Sequence, residues 1–178
     1  LTPETLIDGA DEVVRAAGTT GAHMHYCHIN STSGRHIDRV LALVGRCQAE
    51  GARVTTEAYP YGSGSTAIGA AFLAPERLRE RFRGTTSITY LRTGERIADE
   101  ARLRELRATD PGGLIIGEFL DEAEPGDAAL LRRSLAFPDA IVASDAMPPW
   151  WTDTAGMDVA DWPLPPEAVT HPRTAGTF

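Results

Sequence analysis

Apolar residues fall in periodic blocks along the chain, and each block names an element. Leu6, Ala10, Val13, Val14 and Ala17 recur at helical spacing. Thr2, Pro3 and Glu4 supply an N-cap, a first-turn proline and an acid suited to the helix N-terminus, and Gly18 is a natural stop. A strand is expected over Ala22 to Ile29, followed by a polar turn from Asn30 to Gly34 that can cap a second helix. On that helix Ile37, Val40, Leu41, Val44 and Cys47 share one face, and Gly51 ends it. The β-branched run Val54-Thr55-Thr56 predicts a second strand, closed by Glu57. The stretch from Tyr59 to Thr66 is too rich in glycine and proline for helix or strand and reads as a loop. Residues 75–107 are strongly charged and read as mostly helical, with a break near Gly84 to Tyr90. Leu114-Ile115-Ile116 predicts a third buried strand, Asp127 to Leu135 a helix, and Ile141-Val142-Ala143 a fourth strand ending at Ser144-Asp145. Residues 146–178, with Trp150, Trp151, Trp162 and scattered prolines, read as an irregular segment after the last strand.

Strands alternating with helices at this spacing imply βα units and a parallel sheet. About four such units make half of an eight-stranded barrel, so the expected fold is α/β, a partial (βα)8 barrel over residues 1–178 as a single domain. Glycine and proline concentrate in the loops after strands, where that architecture carries its site. Seventeen basic against twenty-five acidic residues give a net charge of −8, which argues against nucleic acid as a partner. No apolar run reaches the roughly 20 residues of a membrane span, and no signal peptide opens the sequence. Two cysteines are too few for a disulfide scaffold and suit a reduced cytoplasm. The chain starts at Leu1 and stops at Phe178 after a loop-like stretch, so it is expected to be a piece of something larger.

The segment Gly21-Ala22-His23-Met24-His25-Tyr26-Cys27-His28 is the most informative. Strand alternation puts His23 and His25 on one face and Met24, Tyr26 and His28 on the other. His28 stands at the C-terminal end of the strand, the catalytic rim of a parallel barrel, where a neutral imidazole can ligate zinc. A histidine there also serves simply to hydrogen-bond a loop carbonyl. His23-Met24-His25 also has the His-x-His spacing of some metal sites, but its mid-strand position favours packing, and Cys27 and Cys47 read as core. Glu57 and Asp145 close the second and fourth strands. Carboxylates at buried strand ends are costly unless they meet a metal, a proton or a cation. An aspartate beside a metal-activated water can act as general base, although helix caps and loop organisers are the commoner roles of such residues. Tyr59, Tyr61 and the hydroxyls around Ser65 could line a small-molecule pocket or form a rigid turn. Arg173, after His171-Pro172, offers a guanidinium suited to a carboxylate.

Taken together, His28-Ile29-Asn30-Ser31-Thr32-Ser33, Glu57-Ala58-Tyr59-Pro60-Tyr61-Gly62 with Gly64-Ser65-Thr66, Ser144-Asp145 and His171-Pro172-Arg173-Thr174-Ala175-Gly176-Thr177-Phe178 resemble one family. The sequence is similar, over about residues 20 to 178, to N-acyl-D-amino-acid deacylases (D-aminoacylases) of the amidohydrolase superfamily. That resemblance implies a zinc-dependent barrel hydrolysing the linear amide of an N-acyl-D-amino acid, with metal-activated water attacking the acyl carbonyl. It implies His28 as a zinc ligand on strand five, Asp145 as general base on strand eight, and Glu57 in or beside the place of the strand-six histidine ligand. It implies substrate contacts from Tyr59, Tyr61, Ser65, His171 and Arg173. Residues 75–110 would be an insertion or lid between strands six and seven. The family's first-strand metal motif and second-strand cysteine ligand are missing, so the remaining zinc ligands are expected outside this chain. A half-barrel would have two open sheet edges inviting self-association. Two further readings compete: a non-catalytic half-barrel that binds or assembles, and another amidohydrolase of dihydroorotase or dipeptidase type.

Overall fold

The computed structural model describes residues 3–146 and divides the chain into two compact units, Leu1–Val142 and Ala143–Phe178. The first unit opens with helix α1 (Pro3–Thr20), which runs through Gly18 and ends where Gly21 takes a left-handed φ of 70°. Strand β1 (Met24–Tyr26) is shorter than the expected Ala22 to Ile29, because the chain turns out of the strand at Cys27 and His28 and enters the short helix α2 (Ile29–Ser33). Helix α3 (Ile37–Ala49) and strand β2 (Val54–Ala58) follow as the periodicity predicts. β2 lies between β1 and β7 (Ile141–Val142), parallel to both, with Met24 opposite Val54 and Glu57 opposite Ile141. Val54, Thr56 and Ala58 turn into a core with Val14 and Ala17 of α1 and Val40 and Val44 of α3. Thr56 carries its hydroxyl inward and donates it to the Tyr26 carbonyl at 2.8 Å, so the buried group is satisfied. The opposite face of the sheet presents His25, Thr55 and Glu57.

Between β2 and β7 the chain builds a second layer that corrects three expectations. Ser63–Ala67, read as loop, is strand β3. Its small polar side chains give no apolar alternation, and the element is specified by pairing with β6 (Leu114–Glu118), Ser65 facing Ile116. The 75–107 segment is not mostly helical: it contains strands β4 (Ile88–Tyr90) and β5 (Glu95–Arg96), with helix α4 confined to Glu100–Thr109. Asp99 caps α4, its carboxylate accepting the Arg102 N–H at 2.8 Å. Leu114-Ile115-Ile116, expected as a third parallel strand, runs antiparallel to both β3 and β4 in a sheet ordered β3-β6-β4-β5. Ile115 is buried and its neighbours half-buried, so only one face of β6 meets a core. That core, of Ile68, Leu73, Leu78, Ile88, Tyr90, Ile97, Leu103, Leu106 and Ile115, is distinct from the helix-packed one, and Phe82 touches both. The chain leaves and rejoins the parallel layer at one point, where the Gly62 carbonyl accepts the N–H groups of Phe119 and Leu120, each at 2.9 Å. Helix α5 (Pro125–Leu135) then leads to β7. Among the described residues no helix is long and apolar enough to cross a membrane.

A candidate metal centre at the ends of two parallel strands

β1 and β2 run side by side with His25 opposite Thr55, so the odd-numbered side chains of both strands stand on the face away from the helices. There the Thr55 hydroxyl meets His25 Nδ1 at 2.8 Å and His23 Nε2 at 3.2 Å. Two residues on, Glu57 reaches back across the strand pair. Its Oε2 lies 3.3 Å from His25 Nε2 and its Oε1 3.4 Å from His28 Nε2, one oxygen to each imidazole. Donor atoms of His25, Cys27 and Glu57 all fall within 4.8 Å of one another.

This placement corrects the strand-alternation reading. His28 does not project with Met24 and Tyr26, because β1 stops at Tyr26 and His28 adopts a left-handed backbone (φ 51°, ψ 48°) that swings its ring toward Glu57. Cys27 is exposed rather than core, and Cys47 half-buried against the helix core. His23 and His25 are likewise exposed rather than packed, and His25 belongs to the cluster.

A buried amide holds the turn in place. Asn30 is fully buried and donates Nδ2 to the Tyr59 carbonyl at 2.9 Å and to the Tyr61 carbonyl at 3.2 Å, while its Oδ1 accepts the Tyr59 N–H at 3.3 Å. The segment after β1 is thereby fastened to the segment after β2. Sequence reasoning passed over Asn30 and Thr55; the available signal was a lone asparagine directly after a strand-end histidine, and a threonine two residues before the strand-end glutamate.

The other predicted residues are placed as follows. Tyr59 is buried in the helix-side core, its ring centroid 6.1 Å from that of His28. Tyr61 is half-buried against the same core. Ser65 sits in β3 and donates its hydroxyl to the Ile115 carbonyl at 2.9 Å. Asp145 belongs to the second unit, with a left-handed φ of 48°. His171 and Arg173, and with them the irregular 146–178 segment beyond Ala146, lie outside the described residues.

The donor set suits a borderline divalent cation. Imidazole nitrogen, thiolate sulfur and carboxylate oxygen are the ligand types of zinc sites. Thr55 at the second ring nitrogen of His25 is the kind of partner that fixes a ligand's tautomer and orientation. Three donors leave room for a further ligand or a substrate atom, as catalytic sites require.

No family model and no curated protein matches the sequence. Solved structures do match the fold. A D-aminoacylase described as defining a novel subset of amidohydrolases superposes at TM-score 0.60 and 20% identity, over 98% of this chain and 33% of that one. A second D-aminoacylase structure, concerned with the role of its binuclear metal centre, superposes at TM-score 0.54 and 19% identity over 80% of this chain and 30% of that one. An N-acyl-D-glutamate deacylase from Bordetella bronchiseptica, in complex with zinc and a phosphonate mimic of the tetrahedral intermediate, gives TM-score 0.52 and 18% identity over 77% of this chain and 29% of that one. The likeness is one of fold, and the structures that carry it belong to the deacylase family that the sequence motifs resemble. The chain spans about a third of the length of these proteins.

Proposed function

We propose that this chain forms part of the active site of a metal-dependent amide hydrolase of the N-acyl-D-amino-acid deacylase type, as the C-terminal part of a (βα)8 barrel. The observation that carries the reading is the convergence of His25, Cys27 and Glu57 at the C-terminal ends of two adjacent parallel strands. Support comes from the fold it shares with amidohydrolases, including one solved with zinc.

His25, Cys27 and Glu57 would hold a divalent metal, zinc being the ion their chemistry fits best, with further ligands from outside the chain. Such an ion polarises a carbonyl and lowers the pKa of bound water. Thr55 orients the His25 ring, and His28 positions Glu57 through its second oxygen. Asp145 is the proton acceptor of the reaction, its carboxylate taking the proton as the amide is attacked and returning it to the leaving nitrogen. Arg173 would anchor the substrate carboxylate, and Tyr61 and His171 would make further substrate contacts. The antiparallel sheet between β2 and β7 is the insertion that covers this end of the barrel, with 75–110 its outer part.

The test is metal stoichiometry by elemental analysis after dialysis, on wild type beside Cys27→Ser and His25→Ala, with cobalt(II) as a spectroscopic substitute. Wild type is expected to hold metal and to show a near-ultraviolet thiolate-to-cobalt band that vanishes in Cys27→Ser. Absence of bound metal in wild type, or a band unchanged by Cys27→Ser, overturns the ligand set. In a longer protein containing this chain, Asp145→Asn should abolish hydrolysis of N-acyl-D-amino acids while metal stays bound.

A further inference from the structure

His23 is not one of the clustered metal donors, yet hydrogen bonds join it to them along the open face of the parallel sheet. It lies just before β1 and His25 lies within it, so both imidazoles stand on one side of the chain, with Thr55 of β2 opposite His25. One hydroxyl serves both rings: Thr55 Oγ1 is 3.2 Å from His23 Nε2 and 2.8 Å from His25 Nδ1. Among the described residues that hydroxyl has no third hydrogen-bond partner. On its other side the His25 ring turns Nε2 to Glu57 Oε2 at 3.3 Å. Glu57, His25, Thr55 and His23 thus stand in one file.

The file can be polarised in two ways. A neutral imidazole carries one N–H and one bare nitrogen, and a hydroxyl has one proton to donate. When His25 donates its Nε2–H to Glu57, its Nδ1 is bare and accepts the Thr55 hydroxyl, which in turn accepts the Nε2–H of His23. For His25 to offer Nε2 as a ligand, every member reverses. The Nδ1–H of His25 then donates to Thr55, and the Thr55 proton needs an acceptor, which is His23 Nε2. The number of protons is the same in both arrangements. A ligating histidine is governed by what its second nitrogen meets, and here His23 directs the proton of that partner.

We propose that His23 is a positioning residue for the metal centre: by accepting the Thr55 hydroxyl it holds His25 in the tautomer whose Nε2 is free to ligate. The inference rests on the metal-centre reading above and adds to it a residue outside the ligand set.

The experiment is the zinc affinity of the 178-residue chain at about pH 8, measured by competition against a fluorescent chelator, in wild type, His23→Phe, His23→Gln, Thr55→Val and the double variant His23→Phe/Thr55→Val. His23→Phe keeps a ring but removes the acceptor. It should weaken binding about tenfold, the lower end of the roughly 10–100-fold range for such partners, because this face is open to water. His23→Gln, whose amide oxygen can take the Thr55 proton, should restore most of the loss. Thr55→Val should lose at least as much as His23→Phe, and the double variant no more than Thr55→Val, since His23 acts through Thr55. Histidine ¹⁵N spectra of wild type give a readout that a merely structural role would not move. On addition of zinc His23 should pass from the Nε2–H to the Nδ1–H tautomer. Equal affinity in wild type and His23→Phe, losses that add in the double variant, or a His23 tautomer indifferent to zinc overturns the inference and leaves the metal centre standing. A wild type that binds no zinc overturns both.

Discussion

Asp127 offers the sharpest test of how the first unit is held together. It lies in the first turn of α5, 4% exposed, and four donors converge on it. Arg35 grips both oxygens, with Nη2 to Oδ2 at 2.7 Å, and Arg83 Nη2 stands 3.3 Å from Oδ2. The Asp121 N–H completes the set at 2.8 Å. One carboxylate thus joins the α2–α3 junction, the second layer and the start of α5. Asp127→Asn keeps the shape and one carbonyl oxygen but removes the charge. Breaking a fully buried pair costs about 3–5 kcal/mol. The two arginine side chains are 50% and 55% exposed and regain water, so that range is an upper bound. A loss of about 2–3 kcal/mol is expected once rehydration is allowed for. For a chain of this size that is a fall of about 4–12 °C in the thermal midpoint at pH 7, read by circular dichroism. Acid supplies the second readout. Burial raises the Asp127 carboxyl, but the Asp121 N–H and the Arg35 and Arg83 guanidinia outweigh it and hold the group below the ordinary aspartate value. A depressed folded pKa contributes stability that is complete above the unfolded value, near ~3.9, and is lost as pH falls through the folded one. The gap between wild type and Asp127→Asn should therefore close as the pH drops below about 4. A midpoint change under about 2 °C, or a gap that persists undiminished at pH 3, refutes the reasoning.

Two other substitutions probe the site's scaffold. His28→Gly and His28→Ala both remove the imidazole, but only glycine accepts the left-handed backbone freely. His28→Gly should unfold in urea with about 1 kcal/mol more stability than His28→Ala, and equal stabilities would mean that the left-handed turn is not required. At Gly62 an added Cβ would meet the Leu120 carbonyl oxygen at 2.4 Å, a backbone atom that cannot rotate aside. Gly62→Ala should cost about 2–3 kcal/mol by thermal melt, and a near-neutral effect would contradict the close approach.

What the sequence disclosed follows from the range of the forces involved. Helix α3 and strand β2 were legible because their apolar residues repeat with the local period, and each meets a core along its whole length. β3 was not, since Ser63-Gly64-Ser65-Thr66-Ala67 has no apolar alternation and owes its conformation to a partner fifty residues away. The run at Leu114 announced burial, but an apolar run says nothing about the direction of its neighbours, and the antiparallel pairing reversed the expectation. At the candidate site, Glu57 and His28 were singled out by their strand-end positions, and the structure brings the two together. Cys27 and His25 were read as core and packing because the strand was expected to run on to Ile29, which made both mid-strand residues, whereas it ends at Tyr26. Positive φ at a histidine has no reliable sequence signal, so which face His28 would take was beyond periodicity to decide.

Finally, the pinch at Gly62 bears on how such a protein can change over time. The antiparallel layer departs and returns through a single carbonyl that accepts two successive N–H groups, and it carries its own hydrophobic interior. A segment tethered this way behaves as a cassette. Its length and sequence can drift, or be exchanged for another lineage's version, while the strand ends that carry His25, Cys27 and Glu57 keep their spacing. Phe82 and Arg83 are the contacts such an exchange would have to preserve. Change in the outer layer and constancy of the strand-end cluster are thereby assigned to separate stretches of one chain.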